Sequence, residues 1–473
     1  FLIKFLTVCC LVVTLPLKAN ILPPYMLNVP VEGQQWVDSM MNALTPEEKV
    51  AQLFMISAYS NKDESHYREI DNFIKKYKIG GLIMMQGTPE KQAELINRFQ
   101  SSSNVPLMIG FDGEWGLGMR LKNVEDYPRQ MVLGALKNDL LLYDMGREFA
   151  RQMKLVGIHV NFAPVVDVNN NSNNPVINDR SFGEDVPNVI RKSIMYMKGL
   201  QEGGVLASAK HFPGHGDTDV DSHYDLPVIK HSRERLDSIE FKPFRAMAYN
   251  GVGSMMVAHL SIPALDNTPN LPSTLSPKIV DGILRKGLGY EGLVFTDAMN
   301  MKGVTKYFPS GTAEVKALLA GNDIMLFSEN VPQAMEGVLK AIKDSVLTQG
   351  LIDEKVRKVL LAKYWLGLNK KPVLNTQNLD AKINTEYAHF LKEKLLTEAM
   401  TLVTDKNNLI PIGDLGQLKI AAVHISGSSK NELTKMLDKY ADVKHFYISK
   451  DASATEFANL SNQLKEYNLI INA

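Results

Sequence analysis

Between about Trp36 and Leu368 the chain repeats one pattern: a short apolar run, then a longer amphipathic stretch. The apolar runs fall at 52–56, 81–85, 106–111, 159–166, 206–211, 253–259, 292–296 and 323–327. Helix-like stretches lie between them, for example at 90–100, 139–155, 232–249 and 332–347. Apolar runs of this length, separated by amphipathic helices, predict buried parallel strands with helical crossovers. Eight such units predict an α/β fold of (β/α)8 TIM-like type over 36–370. An open doubly wound sheet is the competing architecture. It is disfavoured because no G-x-G-x-x-G or P-loop fingerprint follows the first strand.

A polar, aperiodic stretch at 371–388 reads as a linker. From 389 to 473 a helix is followed by strand-like runs at 420–425, 446–449 and 469–472, with helices near 431–440 and 455–467. These predict the start of a second, smaller α/β domain. A parallel sheet needs both faces covered, so this domain is expected to be incomplete at Ala473.

Composition narrows the function. Lys+Arg and Asp+Glu number 52 each, for a formal net charge of zero. That balance speaks against a nucleic-acid binder, which normally carries a basic excess. Apolar residues at 45% and charged residues at 22% are those of a globular chain, not a disordered one. The 2 cysteines, Cys9 and Cys10, sit together in the first apolar stretch. That stretch, 1–20, has a lysine, an apolar run and then Pro16 and Ala19, the form of a secretory signal peptide. Export to the periplasm or medium is therefore expected, and the remainder has no cysteine for a disulfide, a thiolate metal site or a nucleophile. No later segment approaches the ~20 apolar residues of a membrane span.

In a barrel, catalytic groups gather at the C-terminal ends of the strands. Here the third strand runs into Asp112 and Glu114, the fourth into Asp167 and the fifth into Lys210 and His211. The sixth ends at His259 and the seventh at Asp297. Burying so many ionisable groups without purpose is costly, and together they read as a site. The densest segment is KHFPGHGDTDVDSHYDLP, 210–227. Metal binding fits it poorly. His211 and His215 are separated by Pro213 and Gly214, which forbid a shared helix face. Asp217, Asp219 and Asp221 mimic a calcium loop, but Ser222 and Val228 stand where that loop needs Gly and Glu. Asp221 and His223, two apart on an extended loop, point to the same side. The carboxylate can then orient the ring and stabilise its protonated form. A solvated loop histidine is the competing reading.

These residues resemble a known family. The 210–223 segment is similar to the K-H-F-P-G-H-G…D-S-H signature of bacterial β-N-acetylglucosaminidases of glycoside hydrolase family 3. Phe111-Asp112-Gly113-Glu114 through Arg120 resembles the family's D-x-E-x-x-x-x-x-R stretch. Asn178–Gly183 resembles its R-S-F-G loop, and Val294–Met299 its nucleophile strand. The resemblance implies a retaining exo-acting enzyme without cofactor or metal, acting on an oligosaccharide or muropeptide. Asp297 would be the nucleophile and His223 the acid/base, oriented by Asp221. Asp112, Arg120, Arg180, Lys210 and His211 would hold the sugar. It also implies that proton transfer does not need the second domain, unlike in related β-glucosidases. One departure is Trp115-Gly116-Leu117 where the family commonly has Gly-Gly-Arg, and Trp115 is read here as packing. Glu114, Asp167 and His259 receive no named role. The alternatives are a β-glucosidase or β-xylosidase of the same family, a metal-dependent barrel hydrolase, or a silent sugar-binding protein.

Overall fold

A computed structural model describes residues 22–218, 225–426 and 430–473. The leader-like segment and the Asp221–His223 pair therefore lie outside the described residues. Two compact units appear, one reaching to Met400 and the other spanning Thr401–Ala473.

The first unit is a closed barrel of eight parallel strands. They are β1 (Phe54–Ala58), β2 (Gly81–Met84), β3 (Met108–Phe111), β4 (Val160–Asn161), β5 (Leu206–Phe212), β6 (Ser254–Val257), β7 (Leu293–Ala298) and β8 (Ile324–Leu326). Strand β8 closes the ring by pairing Met325 with Phe54 of β1. The crossovers include helices Pro89–Ser101, Leu140–Leu155, Val186–Glu202 and Thr312–Ala320. Their starts carry the expected chemistry. Asp185, and Asn330 before the further helix Val331–Lys343, each accept a hydrogen bond from a first-turn amide, at 2.7 and 3.1 Å, and a proline follows within two residues. Inside the ring the strands are buried, and Phe162 meets Phe295 edge-on with centroids 5.2 Å apart. Gly110 makes room for this pair, since a Cβ there would lie 2.7 Å from the Phe162 ring.

Two expectations need correction. Strand β4 is only two residues long, although the apolar run spans 159–166. Pro164 has no N–H to give to a ladder, and beyond it the chain rejoins the sheet through the Val166 amide to the Lys210 carbonyl at 2.8 Å. The stretch expected as a linker, 371–388, and the helix assigned to the second domain both belong to the first unit. Helices Leu379–Ile383 and Glu386–Ala399 bury Leu379, Ile383, Ala388, Leu391 and Leu395. Arg151 fastens them by donating to the carbonyls of Lys382 and Ile383 at 2.7 and 3.2 Å.

The second unit is a three-stranded parallel sheet. Its strands β9 (Ile420–Ile425), β10 (Val443–Ile448) and β11 (Leu469–Asn472) are ordered β10-β9-β11. Its core is small: Ile420, Ala422, Val443 and Leu469. No helix among the described residues is long and apolar enough to cross a membrane.

Candidate active site

A cavity of about 520 Å³ opens at the C-terminal ends of the strands, a size ordinary for a small-ligand site. Asp112, Arg120, Arg180, Lys210, His211 and Asp297 all line it, so every described residue expected to hold the sugar or attack it is found in one cavity.

Lys210 organises one side. All seven residues of β5 are buried, and the lysine side chain reaches two carboxylates, Asp112 Oδ1 at 3.0 Å and Glu114 Oε1 at 2.8 Å. Arg120 donates to the other oxygen of Asp112 at 2.9 Å. Arg180 forks onto Glu114 with Nε and a terminal nitrogen at 2.9 and 2.7 Å. Burial opposes charge on Glu114, but Arg180 and Lys210 outweigh it and hold the carboxyl well below the ordinary range. Asp112 is lowered in the same way: Lys210 and then Arg120 overcome its desolvation. Burial also disfavours the Lys210 charge, yet Asp112 and Glu114 raise its pKa above the ordinary value. The array thus stays ionised, with fixed donors and acceptors of the strong, charge-assisted kind.

Asp167, at the end of the fourth strand segment, ties the loop after β5 to the barrel. Its carboxylate accepts from His211 Nδ1 at 2.8 Å, from the His211 amide at 3.2 Å and from the His215 amide at 2.7 Å. Arg180 approaches His211 Nε2 at 3.4 Å. A carboxylate only accepts, so His211 Nδ1 carries a proton toward Asp167. The loop passes very close to the barrel. A Cβ on Gly216 would sit 1.8 Å from the Val168 carbonyl, and Gly214 has φ of +129°.

Asp297 stands opposite, near the end of β7, where its Oδ1 accepts from the Ala298 amide at 2.8 Å. Burial works against its charge, but His259, His211, that amide and Lys210 together hold it below its usual value. His259 is itself fixed, with Nδ1 2.7 Å from the Thr274 hydroxyl and Nε2 3.0 Å from the Ala298 carbonyl. The result is an ionised carboxylate on a rigid strand end, facing a cation-rich wall. That is what a nucleophile attacking an electron-poor carbon requires.

Sequence reasoning assigned no role to Glu114 and Asp167, although both turn out to be direct partners of the expected sugar-holding residues. Their positions at strand ends were the available signal. Trp115 does line the cavity, its ring 4.5 Å from the Arg129 guanidinium, which Asp179 in turn pairs at 2.9 Å. The expected acid/base residues, Asp221 and His223, lie outside the described residues. Upstream, the buried Thr218 hydroxyl meets His215 and Asn174. Downstream, Asp225 accepts from Lys306 at 3.0 Å and from Tyr307 at 3.2 Å. Among the described residues, no group of three or more His, Cys, Asp or Glu side chains is arranged to hold a metal ion.

Comparison with known proteins supplies the family. Residues 45–362 match the model of the glycosyl hydrolase family 3 N terminal domain. The chain belongs to this family. Residues 45–362 are thus a glycoside hydrolase domain. Beta-hexosaminidase A of Pseudoalteromonas piscicida is 36% identical over 281 residues, 54% of this chain and 47% of that protein. The match thus spans about half the length of that relative. A Cellulomonas fimi protein named beta-N-acetylglucosaminidase/beta-glucosidase is 28% identical over 389 residues, 80% of this chain and 68% of that protein. Among solved structures, a glycoside hydrolase family 3 beta-N-acetylglucosaminidase from Paenibacillus sp. str. FPU-7 is 30% identical, with a TM-score of 0.78. That match covers 91% of this chain and 84% of the other.

Proposed function

We propose that the protein is a retaining exo-β-N-acetylglucosaminidase that removes terminal N-acetylglucosamine from peptidoglycan-type fragments. The observation that carries this reading is the cavity itself, where an ionised Asp297 faces the Asp112–Lys210–Glu114–Arg180 array. The names of the Pseudoalteromonas and Paenibacillus relatives support the choice of sugar.

In this mechanism Asp297 attacks the anomeric carbon and the bond to the leaving oxygen breaks, giving a covalent glycosyl-enzyme. His223, oriented by Asp221, gives its proton to the leaving oxygen. It then takes one from the water that attacks the same carbon and frees Asp297. A histidine near its unperturbed pKa of ~6.5 performs both steps without the desolvation that a carboxylic acid would need. Asp112, Arg120, Arg180, Lys210 and His211 hold the hydroxyls and the acetamido group. The leader-like residues 1–20 support export.

Trapping with a fluorinated N-acetylglucosamine analogue, followed by peptide mass spectrometry, tests the chemistry. The label is expected on the peptide containing Asp297, and a label elsewhere would refute it. Initial rates on aryl N-acetylglucosaminide and aryl glucoside test the sugar. The name of the Cellulomonas relative favours a second reading, in which glucosides are also cleaved. A site built around an acetamido group rejects glucose strongly, so comparable rates would favour that second reading.

A further inference from the structure

His215, set aside above as a metal ligand, lines the active cavity and is 1% exposed. Every polar atom of this residue but one is engaged. Its amide donates to Asp167 at 2.7 Å, and its carbonyl accepts from Asn174 at 2.8 Å. Its ring Nδ1 lies 2.9 Å from the Thr218 hydroxyl. Among the described residues, Nε2 has no hydrogen-bond partner and almost no exposure to solvent. A buried polar atom left unsatisfied is expensive, and native structures rarely keep one without a use for it. The ring is braced on one side by Thr218, whose hydroxyl Asn174 holds in turn. On the other it meets His211 edge-on, with centroids 5.9 Å apart. It has little freedom to seek another partner.

Burial, with the nearby His211, pushes its pKa down to about 4 despite the opposing influence of Asp167 and Asp297. The ring is therefore neutral near pH 7, and Nε2 presents either an N–H or a lone pair. A sugar hydroxyl satisfies either form through a single atom, because its oxygen both donates and accepts. We infer that His215 is a further substrate-binding residue, its Nε2 hydrogen-bonded to a hydroxyl of the bound sugar in the cavity shared with Asp297. This rests on the proposed glycosidase reading and extends it. The residue is uncharged and takes no part in the bond-making steps. Its contribution is orientation, with one more hydrogen bond than the charged array supplies.

The test compares His215→Phe, which keeps a ring and removes both nitrogens, with His215→Gln, which can place an amide near the Nε2 position. Binding of free N-acetylglucosamine is read by calorimetry, and KM and kcat on 4-nitrophenyl N-acetylglucosaminide by initial rates. The Phe variant is expected to weaken sugar binding about tenfold, the effect of one lost hydrogen bond. The Gln variant is expected to recover most of that loss. A Phe variant that binds like the wild type overturns the inference, as does a Gln variant no better than Phe. If the wild type itself neither binds nor cleaves the N-acetylglucosaminide, the proposed sugar is wrong. The same variants are then compared on the aryl glycoside that it does cleave, so the two failures remain distinct.

Discussion

The Lys210 ammonium and the Glu114 carboxylate meet at 2.8 Å, on side chains 3% and 1% exposed. Neither charge can turn to water if the other is lost. Glu114→Gln would leave Lys210 and Arg180 facing a neutral amide, and breaking a buried pair in this way costs about 3 kcal/mol. The expected result is a lower urea midpoint together with a loss of kcat/KM. The pH dependence follows from the depressed folded-state pKa of Glu114. Its contribution is complete above the unfolded value of ~4.3 and is lost as the pH falls further toward the folded value. The stability gap between wild type and variant is therefore constant near neutrality and narrows in acid. A gap that widens in acid would contradict the assignment.

Asp297 is held ionised by its surroundings, not by a partner whose fold depends on it. Asp297→Ala is expected to keep the wild-type circular dichroism spectrum and lower kcat by a factor of about 10⁴ or more. Substantial residual turnover would remove Asp297 from the nucleophile role.

His223 should matter in proportion to the basicity of the leaving group. His223→Ala is expected to slow disaccharide hydrolysis by a factor of about 10² to 10⁴, the usual contribution of a positioned general acid. Dinitrophenyl glycosides, whose leaving group needs no proton, should suffer far less in the first step. Equal losses on both would assign His223 a structural role.

Lys363 makes a separate prediction about stability. Its side chain is wholly buried, and its ammonium donates to the Gln52 side-chain oxygen at 2.7 Å. Burial alone brings its pKa down to about 7. Between that value and the ordinary 10.5 the unfolded chain binds the extra proton, so stability rises with pH across this window. Compared with Lys363→Met, the wild type should gain up to about 1.4 kcal/mol for each pH unit above 7. Denaturant titrations at pH 6, 8 and 9.5 would show it. A gap independent of pH would mean that the buried lysine keeps its proton throughout.

The barrel was legible because its strands are short, apolar and evenly spaced, and because ionisable residues end them one after another. Closure was not, since nothing in the periodicity of β8 says that Met325 pairs with Phe54. In the site, Asp112, Arg180, Lys210 and Asp297 could be named from sequence motifs. The Asp167 clamp could not, because it joins residues 44 and 48 positions apart through backbone amides. Its partner His215 was hidden for the same reason. The helix starting near 389 was legible but its place was not, since its apolar positions do not say which body they pack on, and the Leu379–Ile383 helix was missed because five residues are too few to show a period.

Those same helices set where the molecule can be divided. Truncation at 370, where strand and helix cease to alternate, would strip the cover supplied by Leu379, Ile383, Leu391 and Leu395 and leave Arg151 without its carbonyl acceptors. A fragment carried through Met400 retains all of them. Domain exchange among related proteins should therefore succeed with junctions placed just past that methionine and fail with junctions placed thirty residues earlier.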